Sequence, residues 1–106
     1  LDAAAIAHYE EALQRGGEGP LLHNNLGALY LRTGRADRAL PHYQALATLK
    51  PDDPQVHYTM GVLLARGGDA AQAMGHLTAA FRLAPNDERI ARALTLVQER
   101  RAMNER

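Results

Sequence analysis

The chain has no cysteine, which removes any disulfide framework and any thiolate metal site and suits cytoplasm or periplasm alike. Serine and tryptophan are also missing, and phenylalanine occurs once. A nucleophilic enzyme built from this chain would have to use threonine, lysine or a carboxylate. Net charge is missing too: 12 basic residues face 12 acidic ones. Bulk electrostatics therefore point to neither nucleic acid nor an anionic membrane as partner. No apolar run approaches the roughly 20 residues of a membrane span, so direct membrane insertion is not expected. The chain opens Leu1-Asp2 with neither Met nor a signal-peptide pattern, and reads as an excised or processed piece of something larger.

Alanine, leucine and arginine are abundant, whereas valine and isoleucine are scarce, a bias toward closely packed helix. At 106 residues the chain has one domain's worth of length. Its strongest pattern is a self-echo with a period of 34 residues. Residues 20–53 and 54–87 agree at 13 positions without a gap. Pro20/Pro54, Gly27/Gly61, Gly34/Gly68, Ala39/Ala73, Leu49/Leu83 and Pro51/Pro85 are among them. A fixed period of this size is the mark of a stacked-repeat architecture, in which each unit buries its apolar face only against its neighbours.

Apolar spacing predicts six helices. The first covers residues 2–15, with Ile6, Tyr9 and Leu13 on one face, and Gly16-Gly17-Glu18-Gly19 breaks it. Pro20 opens the second, where its missing N–H costs nothing, and Leu22, Leu26, Leu29 and Tyr30 form the stripe. The third runs from Ala36 to about Thr48, with Ala39, Leu40, Tyr43, Leu46 and Ala47 inward. Asp53-Pro54 caps and opens the fourth, which carries Val56, Met60, Leu63 and Leu64. Asp69 caps the fifth, from Ala70 to about Arg82, with Ala73, Leu77, Ala80 and Phe81 inward. Asp87 caps the sixth, which carries Ile90, Leu94 and Val97 and runs on toward Asn104. Pro41 falls inside the third helix, where it removes a backbone bond, and Gly75 takes the same place in the fifth. Either the two mark a shared bend, or the helices start later than drawn.

These residues resemble the tetratricopeptide repeat (TPR) family. The resemblance rests on Leu26-Gly27 and Tyr30, Met60-Gly61 and Leu64, the turn glycines Gly34 and Gly68, and the second-helix residues Ala39 and Tyr43, then Ala73, Leu77 and Ala80. Pro51 and Pro85 close the repeats. The likeness implies an all-α fold, a right-handed α-α superhelix of about six antiparallel helices. It divides one domain, residues 1–106, into four parts: 1–19 as the second helix of a partial repeat, repeats 20–53 and 54–87, and a capping helix 88–106. His23 and His57 depart from the family's bulky apolar residue, and Leu46 from its alanine. Thr95 and Gln98 depart from the pattern in the last helix.

The resemblance further implies a non-enzymatic protein-interaction module, with a peptide or helix held in a concave groove lined by each repeat's first helix. Helical spacing puts Leu21, Asn25, Ala28 and Arg32 on one face; Gln55, Thr59, Val62 and Arg66 on the next; and Arg89, Ala93, Leu96 and Arg100 on the last. Asn24, Tyr58 and Arg92 form a flanking row. Asn25 matches an asparagine with which the family often holds a peptide backbone, since an amide both donates and accepts. The arginines make the stripe basic and suit an acidic segment or a chain-terminal carboxylate, because guanidinium forks pair with carboxylates. The family's carboxylate-clamp pattern of lysines and asparagines is not reproduced. A plainer reading makes Arg32 and Arg66 complements to the helix dipole.

The five histidines fall in two repeat registers: His8, His42 and His76, then His23 and His57. Equivalent places in stacked repeats stand about 10 Å apart, too far to share a metal ion that wants ligands at about 2 Å. No metal or cofactor is therefore expected. Glu10-Glu11 and Asp52-Asp53 lie on an exposed face and at a turn, unsuited to paired acid–base work. The arginine-rich stretch Glu99 to Arg106 lacks the interleaved aromatics of a nucleic-acid surface. Two rival readings remain. One is self-assembly through Ala4, Ala5 and Ile6, left uncovered at the start of the array. The other is that the chain is the repeat region of a larger enzyme, such as a glycosyltransferase.

Overall fold

The structure, a computed structural model, describes residues 1–17 and 19–105. Glu18 of the predicted glycine-rich break and Arg106 of the arginine-rich end lie outside the described residues. The described chain forms six α-helices in two compact units, Leu1–Pro51 and Asp52–Arg106. The first unit holds α1 (Asp2–Gln14), α2 (Pro20–Arg32) and α3 (Ala36–Leu49). The second holds α4 (Pro54–Arg66), α5 (Ala70–Leu83) and α6 (Glu88–Asn104). Within the first, α2 packs against both α1 and α3; within the second, α4, α5 and α6 all touch one another.

The helices start and stop where local chemistry directs. Asp53, Asp69 and Asp87 accept from the backbone N–H of Gln55 (2.9 Å), Gln72 (3.0 Å) and Arg89 (2.9 Å), taking up donors that a helix start leaves unpaired. Pro20 and Pro54 occupy first-turn positions. Helices α2 and α4 end alike. At φ +76°, Gly34 reverses the chain so that its N–H donates to the Leu31 carbonyl (3.1 Å) and that of Arg35 to Tyr30 (2.7 Å). Gly68 at φ +89° repeats this, with Gly68 donating to Ala65 (3.1 Å) and Asp69 to Leu64 (2.9 Å). A Cβ is strained in this left-handed conformation, which accounts for glycine at both turns.

The partner helices of each repeat meet at a glycine. A Cβ on Gly27 would stand 2.8 Å from Cε2 of Tyr43, and one on Gly61 would stand 2.5 Å from Cγ of Leu77. The aromatic in one repeat and the leucine in the next thus lie flat against bare backbone. Around these contacts Leu26, Leu29, Tyr30, Ala39 and Leu46 are buried in the first unit, with Val56, Met60, Leu64, Ala73 and Ala80 in the second. Ile90 and Val97 bury the inner stripe of α6.

Three expectations change. Helix α3 continues through Pro41 to Leu49 and α5 through Gly75 to Leu83, so neither residue delays its helix. The carbonyl that Pro41 deprives of a donor belongs to Asp37; both residues are exposed, and water can serve that carbonyl. Phe81 is 36% exposed rather than inward. Leu77 and Ala80 take the packed face of α5, and Phe81 lies a further 100° round the helix from Ala80. Ile6 is buried, so the apolar strip expected at Ala4, Ala5 and Ile6 loses its largest member to the core. No helix of the structure is long and apolar enough to cross a membrane.

Candidate functional site

In the first unit a cleft of about 270 Å³ lies between α1 and α2. Ala5 and Tyr9 form one wall; Asn25, Ala28, Leu29 and Arg32 form the other. The three- and four-residue steps of α2 bring Asn25, Ala28 and Arg32 together, while Asn24 stands exposed beside the cleft rather than in it. Arg32 already holds a carboxylate. Its Nη2 donates to Oδ1 of Asp2 at 3.0 Å and its Nε to Oδ2 at 3.3 Å, a two-pronged pairing. A wider cleft of about 520 Å³ adjoins it at the start of α2, sharing Tyr9 and Asn25 and including the exposed Leu21.

In the second unit a cleft of about 190 Å³ runs between α4 and α6 over the side chain of Leu77. Val62, Ala65 and Arg66 face Ala93, Leu96, Val97 and Arg100 across it. Among the described residues neither Arg66 nor Arg100 is paired with a carboxylate. The remaining predicted residues gather at the other end of the same two helices. Arg89 lies over the Tyr58 ring with its Cζ 5.1 Å from the centroid, and its Nη2 donates to Oε1 of Gln55 at 3.0 Å. Gln55 in turn donates to Thr59 at 3.3 Å. Asp87 accepts from Arg89 side chain and backbone alike, and that guanidinium holds its carboxyl below the usual range. Arg92 is exposed and belongs to neither group.

The expected basic stripe is thus uneven. Arg32 and Arg89 carry their own counter-ions, whereas Arg66 and Arg100 have none among the described residues. The residues that sequence reasoning left out of the site are Tyr9, Leu29, Leu77 and Val97, all read as core, together with Ala5 and Ala65. Leu77 has no exposed surface as a residue, yet its side chain closes the cleft floor. The period carries the missed signal. Two repeat lengths take Tyr9, Asn25, Ala28, Leu29 and Arg32 onto Leu77, Ala93, Leu96, Val97 and Arg100, so the clefts occupy one register.

A second arrangement lies inside each repeat. His23 on α2 meets His42 on α3 with Nδ1 atoms 3.1 Å apart, and His57 on α4 meets His76 on α5 at the same distance. In each pair one nitrogen donates and the other accepts, which requires at least one neutral ring. Tyr30 stacks on His42 at 5.8 Å and donates its hydroxyl to Glu10 at 2.6 Å; Glu10 in turn lies 3.7 Å from His42 Nε2. Burial pushes the His42 pKa down, against an upward pull from Glu10. Burial also lowers His76, and His57 adds to the effect. Hydrogen bonding to Glu10, then burial, raises the Tyr30 hydroxyl. Comparison of like registers could not find these pairs, because the partners come from unlike registers of one repeat. No group of three or more His, Cys, Asp or Glu among the described residues could hold a metal ion.

Helix pairs joined by a left-handed glycine, packed glycine to side chain and repeated at 34 residues, define a helical-repeat protein. Tetratricopeptide-repeat models match residues 3–54 and 34–97. The chain belongs to the tetratricopeptide-repeat family. No curated protein sequence matches it. Solved structures share the fold. A MamA structure (AMB-1) superposes with a TM-score of 0.85 at 24% identity, over 94% of this chain and 55% of that one. The first TPR of Spaghetti (RPAP3), bound to the HSP90 peptide SRMEEVD, gives 0.81 at 17% identity, over 95% and 80%. The type III secretion chaperone SycD of Yersinia enterocolitica, in complex with a peptide of the translocator YopD, gives 0.79 at 19%, over 94% and 82%. The chain therefore spans little more than half the length of the MamA structure.

Proposed function

We propose that the chain is a protein-interaction module that takes a peptide or helix of a partner protein on the open faces of α2, α4 and α6. The observation that carries this reading is the recurrence of one cleft register in both units, each cleft bordered by a repeat's first helix and left unfilled by the chain itself. The contact residues are Asn24, Asn25, Ala28 and Arg32 on α2; Tyr58, Thr59, Val62 and Arg66 on α4; and Arg89 and Arg92 on α6. Two solved relatives of the same fold are described with bound peptides, which supports the class of ligand. The pre-set Gln55–Thr59 and Tyr58–Arg89 contacts lower the ordering cost of binding there.

Selection of displayed peptides on the folded protein tests this, with an Asn25→Ala/Arg66→Ala variant as counter-screen. A consensus that survives on the parent and vanishes on the variant supports the reading. Absence of any consensus, with the fold intact by circular dichroism, overturns it. A second reading, self-association, draws on Leu96 and Met103, which stand one heptad apart on α6 and are 59% and 67% exposed. Light scattering across a concentration series decides it, since a monomer throughout would end this reading.

A further inference from the structure

The shared cleft register is lined differently in the two units. In the first, Asp2 supplies a carboxylate to the Arg32 guanidinium from within the chain, and Tyr9 and Asn25 make the walls polar. Two periods on, Arg32 becomes Arg100, Tyr9 becomes Leu77, Asn25 becomes Ala93 and Ala28 becomes Leu96. The position equivalent to Asp2 is Ala70, the first residue of α5. The guanidinium has been kept while its internal counter-ion and its polar walls have gone. A second arginine, Arg66, stands at the same cleft from the α4 side.

Dipole complementation explains Arg66, which lies in the last turn of α4. It does not explain Arg100, four residues before the end of its helix. Glu99 adjoins Arg100 in sequence, but residues one apart on a helix do not face each other. The nearest guide to what the register accepts is therefore the arginine of its first copy, which holds a side-chain carboxylate in its fork.

Building on the interaction reading above, we propose that the α4–α6 cleft of the second unit binds a partner segment that presents an aspartate or glutamate side chain next to an aliphatic one. The aliphatic group packs on Val62, Leu96 and Val97 and covers part of the exposed Leu96. The carboxylate takes the place at Arg100 that Asp2 holds at Arg32, with Arg66 adding charge from the opposite wall. The cleft's apolar floor gives contact area, and the two cations at its rim give sign and register. Because the arginines are exposed, their effect weakens as salt rises.

The probe is an acetylated, amidated peptide with one aspartate flanked by leucines, titrated into the whole chain and followed by amide NMR shifts. The expected result is a cluster of shifts at Val62, Ala93, Leu96 and Val97. Changing the aspartate to asparagine is expected to weaken binding by roughly tenfold, as two charge-assisted contacts at an exposed rim imply. The Arg66→Gln/Arg100→Gln variant, checked for unchanged helix content, shows the same loss. Equal affinity for the two peptides, binding unaffected in the variant, or shifts confined to the first unit would overturn the proposal. A leucine peptide with a free C-terminal carboxylate that outcompetes the aspartate peptide would also overturn it, in favour of a chain terminus. If peptides from the display selection bind but ignore Arg66 and Arg100, this proposal fails and the interaction reading stands. If no peptide binds at all, both fail.

Discussion

Two glycines in helix interiors should respond in opposite directions to one added methyl group. Gly75 sits on the open side of α5, and a Cβ there would meet nothing within 4 Å. Gly75→Ala should therefore gain the helix-propensity difference of about 0.8–1 kcal/mol, partly by restricting the unfolded chain. At about 4–8 °C per kcal/mol for a domain near this size, the melting midpoint should rise by about 3–8 °C. Gly61→Ala carries the same propensity gain but meets Leu77, with Cγ at 2.5 Å and Cδ2 at 2.7 Å. Ordinary carbon contacts are about 3.5–4.0 Å. Cγ is the branch point of a fully buried leucine, so turning a methyl aside does not relieve the clash. Overpacking of this kind costs about 1–3 kcal/mol, which leaves a net loss of up to about 2 kcal/mol and, since both variants share the propensity gain, a gap of about 1–3 kcal/mol between them. Urea unfolding followed by far-ultraviolet circular dichroism measures both. Equal midpoints, or a more stable Gly61→Ala, would refute the reading of α4 against α5 as a glycine-dependent contact.

The histidine pairs make stability depend on pH. The pKa values of His42 and His76 lie below the ordinary 6.5 in the folded chain, so the unfolded chain takes up protons first. Their contribution is complete above about pH 6.5 and is lost as pH falls through the folded values. Urea midpoints should drop across that window, and His76→Gln should flatten the drop; a midpoint that rises on acidification contradicts the assignment. Asp69→Ala removes the acceptor of the Gln72 N–H and should cost about 1 kcal/mol, read as a shift in urea midpoint. Asp2→Asn opens an exposed pair and should cost less than about 1 kcal/mol. A much larger loss would mean that Asp2 supports the α1–α2 contact in some other way.

Much of the fold was legible because its determinants are local or keep the period. The aspartate caps, the first-turn prolines and the turn glycines each act within a few residues of their place in the chain, and each behaves as its chemistry requires. Gly27 and Gly61, where the two helices of each repeat meet, stand out in the sequence because both repeats keep them. Facts that depend on which helix supplies a neighbour were not legible. Arg32 read as a free groove charge because nothing in α2 announces that Asp2 comes across from α1. Ile6 read as part of a sticky strip because its burial rests on tertiary packing. The histidines echo one another at repeat spacing, whereas four of the five touch a histidine 19 residues away. Leu77 was read as core, which it is, and so was passed over as a cleft floor.

The two repeats also separate packing positions from open-face positions without any other sequence for comparison. Positions identical in both fall mainly on helix ends or on the contact between a repeat's two helices: Pro20/Pro54, His23/His57, Gly27/Gly61, Gly34/Gly68, Ala39/Ala73 and His42/His76. The paired histidines belong with these, since they reproduce the same 3.1 Å approach across the same helix pair. Positions that differ include Asn24/Tyr58, Asn25/Thr59 and Ala28/Val62, all on the first-helix faces. A residue that packs one helix on its partner must suit the same geometry in each copy, whereas a residue on the open face answers only to what lands there. Arg32/Arg66 is the instructive exception, an identity kept on the open face. In the first unit its charge is met by Asp2, and in the second it stands with Arg100 beside apolar walls. Both arginines lie in the last turn of their helix, where a cation complements the dipole, and that shared place accounts for the identity although only one of them has a carboxylate partner among the described residues.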